Sequence, residues 1–257
     1  MSYRIDNENY GVGRVGGDGN QGLMKESSTP KHPIGEKIEV SDGRCFRYAK
    51  FETATAASYL VSQDVSATCI VETDGKLIVG SGDGSSNAIG STVVRWLDSG
   101  TVGSATANQY AGGYLHTTDD TGEAYQYRIK TNTAASSNSI LITLYDPLVV
   151  ACSASTDAAI TGNLWNRVHA ATPTDYIVSG VSLRAVTVDY YAWVQTAGLA
   201  TVLSNGAIPI GSNVTLSDDV AGAVQAKDAE TEPQVGFAAY LSDDTGHVGV
   251  VLNGLVP

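Results

Sequence analysis

The sequence predicts an all-β protein, an antiparallel sandwich or barrel with an extended N-terminal arm and little helix. Three observations predict it. Short β-branched and aromatic runs recur along the chain, separated by Asn-Gly, Gly-Ser or Asp-Asp breaks. No heptad and no amphipathic stretch beyond about ten residues occurs. Charged residues make up only 16%, and Gly, Ala, Ser, Thr and Val dominate. Small and β-branched side chains lose little entropy on ordering and pack well on pleated surfaces. A chain of 257 residues can bury roughly three quarters of its unfolded surface, so a core needs neither disulfides nor metal.

Residues 1–40 read as an arm. Gly11, Gly13, Gly16, Gly17, Gly19 and Gly22 fall close together among Asn and Asp, and such sequence cannot bury enough apolar surface to fold alone. Pro30 and Pro33 end it. The β-rich body spans 41–257. The arm's end, Glu36–Val40, and Arg44–Lys50 flank Asp42-Gly43, a hairpin signal. Thr53–Ser58 reads as either a short helix or an extended strand. Residues 65–109 read as an inserted hairpin module, with Ala67–Val71 and Lys76–Val79 as its strands and a Gly-Ser-Asn loop after them. Tyr114–Thr118 and Ala124–Lys130 flank a polar turn, and Tyr125, Tyr127 and Ile129 share one face by the period of two. Ser139–Tyr145 is a further strand stopped by Asp146-Pro147, and Asn163–His169 reads as one helical turn or a strand. A C-terminal β subdomain covers about 175–257. Its predicted strands are 181–196, 200–203, 207–210, 213–216, 223–226, 234–241 and 247–252.

The formal charge is −12 and the isoelectric point is near 4.6. A phosphate polyanion needs Lys and Arg against it, so direct nucleic-acid binding is not expected. Eight of the 15 basic residues lie in the first fifty positions: Arg4, Arg14, Lys25, Lys31, Lys37, Arg44, Arg47 and Lys50. The asymmetry points to an N-terminal arm that touches a partner and a body that faces solvent. Arg4, Arg14, Lys25, Lys31, His32 and Lys37 are its contact candidates. The three cysteines, Cys45, Cys69 and Cys152, are too few and too widely spaced for a disulfide framework, and are expected as reduced thiols packed as small apolar groups. The N-terminus lacks the apolar stretch of a secretory signal, and no run approaches the length of a membrane span.

No constellation for catalysis stands out, and no enzyme activity is expected. Asp-Thr-Gly occurs at 120–122 and at 244–246. Paired triplets of this kind serve two carboxylates that share a proton, but polar residues precede both, which favours turns. His32, His116, His169 and His247 are scattered, whereas zinc needs three or four converging ligands. The loop at 80–87 carries one carboxylate, Asp83, too few for calcium. No phosphate-binding loop, dinucleotide fingerprint or Gly-x-Ser-x-Gly is present. Neither a metal nor a cofactor is therefore expected. Asn213-Val-Thr215 fits the glycosylation pattern, but without a secretory signal it is read as chance. Tyr190, Tyr191 and Trp193 could form a sugar platform, but alternation favours a core or inter-subunit role.

Several stretches carry a resemblance to a known family. They are His32-Pro-Ile-Gly35 with Arg47-Tyr-Ala-Lys50, and Tyr125-Gln-Tyr-Arg-Ile-Lys130 with Leu144-Tyr-Asp-Pro147. The strongest is Thr187-Val-Asp-Tyr-Tyr-Ala-Trp-Val-Gln-Thr-Ala-Gly198, followed by Ile208-Pro-Ile-Gly211, Ala221-Gly-Ala-Val224 and Val235-Gly-Phe-Ala238. Together these stretches resemble tailed-bacteriophage capsid decoration, or cement, proteins, and residues 65–109 have no counterpart in the resemblance. It implies a structural virion protein, assembled in the host cytoplasm and located on the capsid surface. Such a protein binds across major capsid protein subunits, as a homo-oligomer with a trimer favoured. The alternative is a phage tail or fibre component that binds a host-surface glycan. Neither membrane nor nucleic acid is an expected partner.

Overall fold

The computed structural model describes residues 21–63, 75–78, 82–97, 105–173, 175, 177–240, 246–253 and 255. They form strands, with no helix among them. The first four are β1 (Glu26–Ser27), β2 (Lys37–Glu39), β3 (Cys45–Lys50) and β4 (Leu60–Gln63). Next come β5 (Gly75–Ile78), β6 (Val93–Leu97), β7 (Tyr114–Asp119), β8 (Tyr125–Asn132), β9 (Ser139–Leu144) and β10 (Asp157–Thr161). Then follow β11 (Val168–Ala170), β12 (Val178–Ser182), β13 (Tyr191–Ser204), β14 (Asn213–Leu216), β15 (Ala223–Ala226), β16 (Gly236–Ala238) and β17 (Gly246–Leu252).

The chain divides into two compact units, one of residues 1–64 with 164–257 and one of residues 65–163. The second unit therefore runs well past the hairpin module expected at 65–109. Its first half cannot close a sheet alone: β5 and β6 are completed by β7 to β10, which take both remaining edges. The result is a closed barrel in the order β10-β5-β6-β9-β8-β7, antiparallel throughout. Closure removes the exposed edges that would otherwise template aggregation. The period of two decides what fills it. Val94 and Trp96, Tyr127 and Ile129, and Ile140, Ile142 and Leu144 alternate inward and form one core with Leu77, Leu115 and Ile160. The predicted strand at 67–71 lies outside the described residues.

Trp96 is fully buried, and its indole N–H donates to the Ala158 carbonyl at 2.9 Å. It lies flat against Gly75, where any Cβ would fall inside the indole ring. Gly75→Ala should therefore overpack the barrel and cost about 1–3 kcal/mol. A urea unfolding curve checks this, and an unchanged midpoint would mean that Trp96 can move aside without loss.

In the other unit the long strand β13, of 14 residues, serves two rings. Its first half pairs with β3 on one side and with β12 on the other. The sheet continues to β4 and β11 and curls until Phe51, just after β3, bridges Val168. Ala49, Phe51, Val61, Val168, Val186, Ala192 and Val194 fill this first ring. The second half of β13 pairs with β15 and β17, and β14 and β16 close the second ring. Val202, Val214, Val224, Val248 and Val250 lie at its centre.

The sequence pattern predicts a strand over 181–196 that stops before Gly198. The chain instead breaks at 183–190 and runs through Gly198. The early break arises because Val186 leaves the sheet and exchanges both backbone hydrogen bonds with Thr55. At Gly198 the register against β3 has just shifted between Gln195 and Ala197, and φ is +80°. Glycine adopts that conformation freely, and the bulge re-aims the strand from one ring into the next. Thr53–Ser58 is neither helix nor strand, apart from its bridge at Thr55.

Residues 21–40, expected within a free arm, are built into the same unit. β1 pairs with β13, and β2 with β3. Leu23 packs on Phe46, Tyr48 and Trp193, with Ile38 and Val40 beside them. The physical reason is that β3 and β13 are apolar on both faces, with Ala49, Ala192 and Val194 toward the ring and the larger Phe46, Tyr48 and Trp193 away from it, so the outer face also needs a cover.

Candidate functional site

The candidate contact residues separate by burial. Arg4 and Arg14 lie outside the described residues. Lys25, Lys31 and Lys37 are exposed, and Lys37 pairs with Glu39 at 3.8 Å. His32 is 7% exposed, so it is no surface contact. Its ring sits against Tyr48 and Trp193, with centroids 5.1 and 5.0 Å away, and Nδ1 is 3.2 Å from the Glu36 carboxylate. Tyr48 donates to Gln21 Oε1 at 2.6 Å, and the Trp193 indole donates to the Gln21 carbonyl at 2.9 Å. Of the three aromatic candidates, Trp193 is in the core at 1% exposure. Tyr191 stacks on Tyr48 at 6.1 Å, and Tyr190 packs against the first ring's core. The three therefore form no sugar platform.

The fold brings together one set that sequence reasoning missed. Ser62 on β4, His169 on β11 and Asp175 converge, although 107 positions separate the first two. Pairing of β11 with β4 places His169 opposite Ser62. A serine nucleophile relay needs the hydroxyl on one imidazole nitrogen and the carboxylate on the other. Here Nε2 of His169 faces both Ser62 Oγ at 3.2 Å and Asp175 Oδ2 at 2.9 Å. Ser62 donates its proton directly to Asp175 at 2.7 Å, and the Thr172 amide and hydroxyl donate to the same oxygen at 2.6 and 3.0 Å. Burial pushes the Asp175 carboxyl up, but the bonds from His169, Thr172 and Ser62 outweigh it and hold it at about 2. Ser62 is wholly buried. The arrangement stabilises one inward carboxylate and pins the loop after β11 to the sheet.

The two Asp-Thr-Gly triplets fall in different units. The first is the turn between β7 and β8, as its polar surroundings predict. Asp120 has φ +66° and its carboxylate accepts from the Thr121 amide at 2.7 Å. Asp244 and Thr245 lie outside the described residues. In the loop after β5, Asp83 is occupied: Ser85 donates to it from both backbone and side chain at 2.8 and 2.6 Å, and Arg95 Nε donates at 2.6 Å. The Ser85 bonds lead those that outweigh burial and hold its carboxyl at about 2. No group of three or more His, Cys, Asp or Glu among the described residues is placed to hold a metal ion. Cys45 and Cys152 are buried free thiols, and burial pushes the Cys152 thiol up, which keeps it protonated and unreactive. Cys69 lies outside the described residues.

What these residues leave available is surface. On the second ring, Leu199, Val251 and Phe237 form one row across β13, β17 and β16. Leu199 is 56% exposed and Phe237 37%, and the row continues to Asn213 on β14. The next row is Thr201 and Gly249, with the exposed Tyr240 ring against Gly249. A cleft of about 280 Å³ opens beside Leu199, lined by Met24, Arg44, Val181, Leu183 and Gln195 among others. Asp, Glu, Lys and Arg are absent from these two rows. Sequence reasoning missed this face because the alternation that makes Val202 and Val250 core says nothing about whether the opposite side is covered.

An all-β protein with closed rings is the class that the fold defines. In comparisons with known proteins, no family model, no curated protein and no solved structure matches the chain.

Proposed function

We propose that the chain is a structural virion protein that decorates and stabilises a bacteriophage capsid by binding across major capsid protein subunits. It acts as a homo-oligomer, with a trimer favoured, on the outer surface of the shell. One observation supports the reading above the others: the uncharged Leu199–Val251–Phe237 row and its adjoining cleft, on a chain of net charge −12. Burying charge against a neighbour is costly, whereas an apolar row is favourable to cover. A stable contact needs on the order of 1,000 Å².

The test is co-sedimentation of the purified chain with capsids that lack it. Saturable binding at a fixed ratio to capsid subunits is expected, and electron microscopy should place the density on the shell. Leu199→Asp with Phe237→Asp should lower the affinity at least ten-fold with the melting temperature little changed, since neither side chain is in the core. Absence of co-sedimentation, or density on the tail, would reject the proposal.

A further inference from the structure

The barrel of residues 65–163 carries a second kind of surface. Its sequence has nine acids and four bases. Two of the bases are neutralised: Lys76 pairs with Asp157 at 2.9 Å, and Arg95 with Asp83. Arg128 and Lys130 have no ion-pair partner among the described residues, and both point outward from β8. Lys130 sits in a bulge, where the register against β9 shifts between Ile129 and Thr131. Two exposed tyrosines flank Arg128. Tyr114 is its register partner on β7 and is 39% exposed; Tyr145 is 53% exposed. The guanidinium lies over the Tyr145 ring, 5.1 Å from its centroid. That stacking fixes the plane of Arg128 and leaves N–H groups at its edge for a bidentate acceptor. Gln126 and His116 lie opposite each other in the next pair on the same face.

We infer that this outer face of β7 and β8 is a binding site for an acidic polysaccharide, a chain of carboxylated pyranose rings. The inference does not rest on the capsid reading. Each element matches one feature of that ligand. The negative face of a tyrosine ring accepts the slightly positive C–H face of a pyranose. The Arg128 edge takes the carboxylate, Lys130 adds attraction along the strand, and Gln126 supplies amide hydrogen bonding to hydroxyls. The match in charge is specific, because the only two unpaired cations described on an otherwise acidic barrel share this face. A nucleic acid offers the same sign of charge, and oligothymidylate in the test below separates the two.

The test uses the full chain and affinity electrophoresis in gels containing polygalacturonate, with dextran and oligothymidylate as comparisons. Retardation by polygalacturonate alone is expected, and it should weaken as salt rises. Arg128→Ala and Tyr114→Ala should each weaken it at least ten-fold, and Arg128→Lys should fail to restore it. These side chains are exposed, so an unchanged melting curve shows that the fold survives; if a variant does not fold, the salt dependence of the natural chain decides. No retardation, equal retardation by dextran, stronger retardation by oligothymidylate, or a natural chain indifferent to salt would overturn the inference. The same variants should still co-sediment with capsids, so failure here and failure of the capsid proposal are separate results.

Discussion

Trp193→Ala should destabilise the unit of residues 1–64 and 164–257 by about 3–5 kcal/mol, the range for removing a large aromatic from a packed site. The indole is 1% exposed and touches both His32 and Tyr48. Its N–H is the donor to the Gln21 carbonyl, which would lose that bond. The same bond ties residues 21–40 to the sheet, so the variant should also expose that segment. Limited proteolysis checks this: new cleavage is expected between Gln21 and Val40 before the rest of the unit is digested. A variant that melts and digests like the natural chain would show that the cover does not depend on the indole. A consequence follows for deletion experiments. Removing residues 1–40 would strip the sheet, whereas removing 1–20 takes Arg4 and Arg14 and spares every described contact.

The second large effect is acid sensitivity at Asp175. Its carboxyl is held at about 2 in the fold, against an ordinary value of 3.8. The unfolded chain therefore takes up a proton at higher pH than the folded one. The stabilisation is complete above about pH 4 and is lost as pH falls through 2, a loss of about 2 kcal/mol. Asp83 shifts in the same direction, so the two contributions overlap in pH. Asp175→Asn separates them. The variant should be less stable at pH 7, because its buried amide replaces a charged acceptor for Ser62, His169 and Thr172. It should also lose part of the decline between pH 4 and 2. Urea midpoints of both proteins across that range give the answer, and parallel curves would remove Asp175 as the cause.

Much of the fold is legible in the sequence, because the period of two and the turn residues are local signals. Asp42-Gly43 marks the β2–β3 hairpin and Asp119–Gly122 the β7–β8 turn, and both occur where expected. Val214, Val224 and Val248 mark strands of the second ring in the same way. What is not legible depends on partners distant in sequence. Nothing near Gly198 announces that β13 continues, since its bulge is defined by pairing with Cys45 and its neighbours. Nothing near residues 21–40 announces a cover for Trp193, 172 positions away from Gln21. The Ser62, His169 and Asp175 contact depends on which strands become neighbours. The exposed tyrosines Tyr114 and Tyr145 lie far apart in the chain, and only the register against β7 and the stacking on Tyr145 show that Arg128 stands between them.

A strand that forms a wall of two rings has a thermodynamic consequence. If either ring opens, half of β13 loses its hydrogen-bonding neighbours, and the strand becomes an unpaired edge beside the ring that remains. Partial unfolding is thereby penalised, and the unit gains all-or-none cooperativity from topology in addition to the size of its core. A sequence change that weakens β13 at any point along its length should be felt by both rings together.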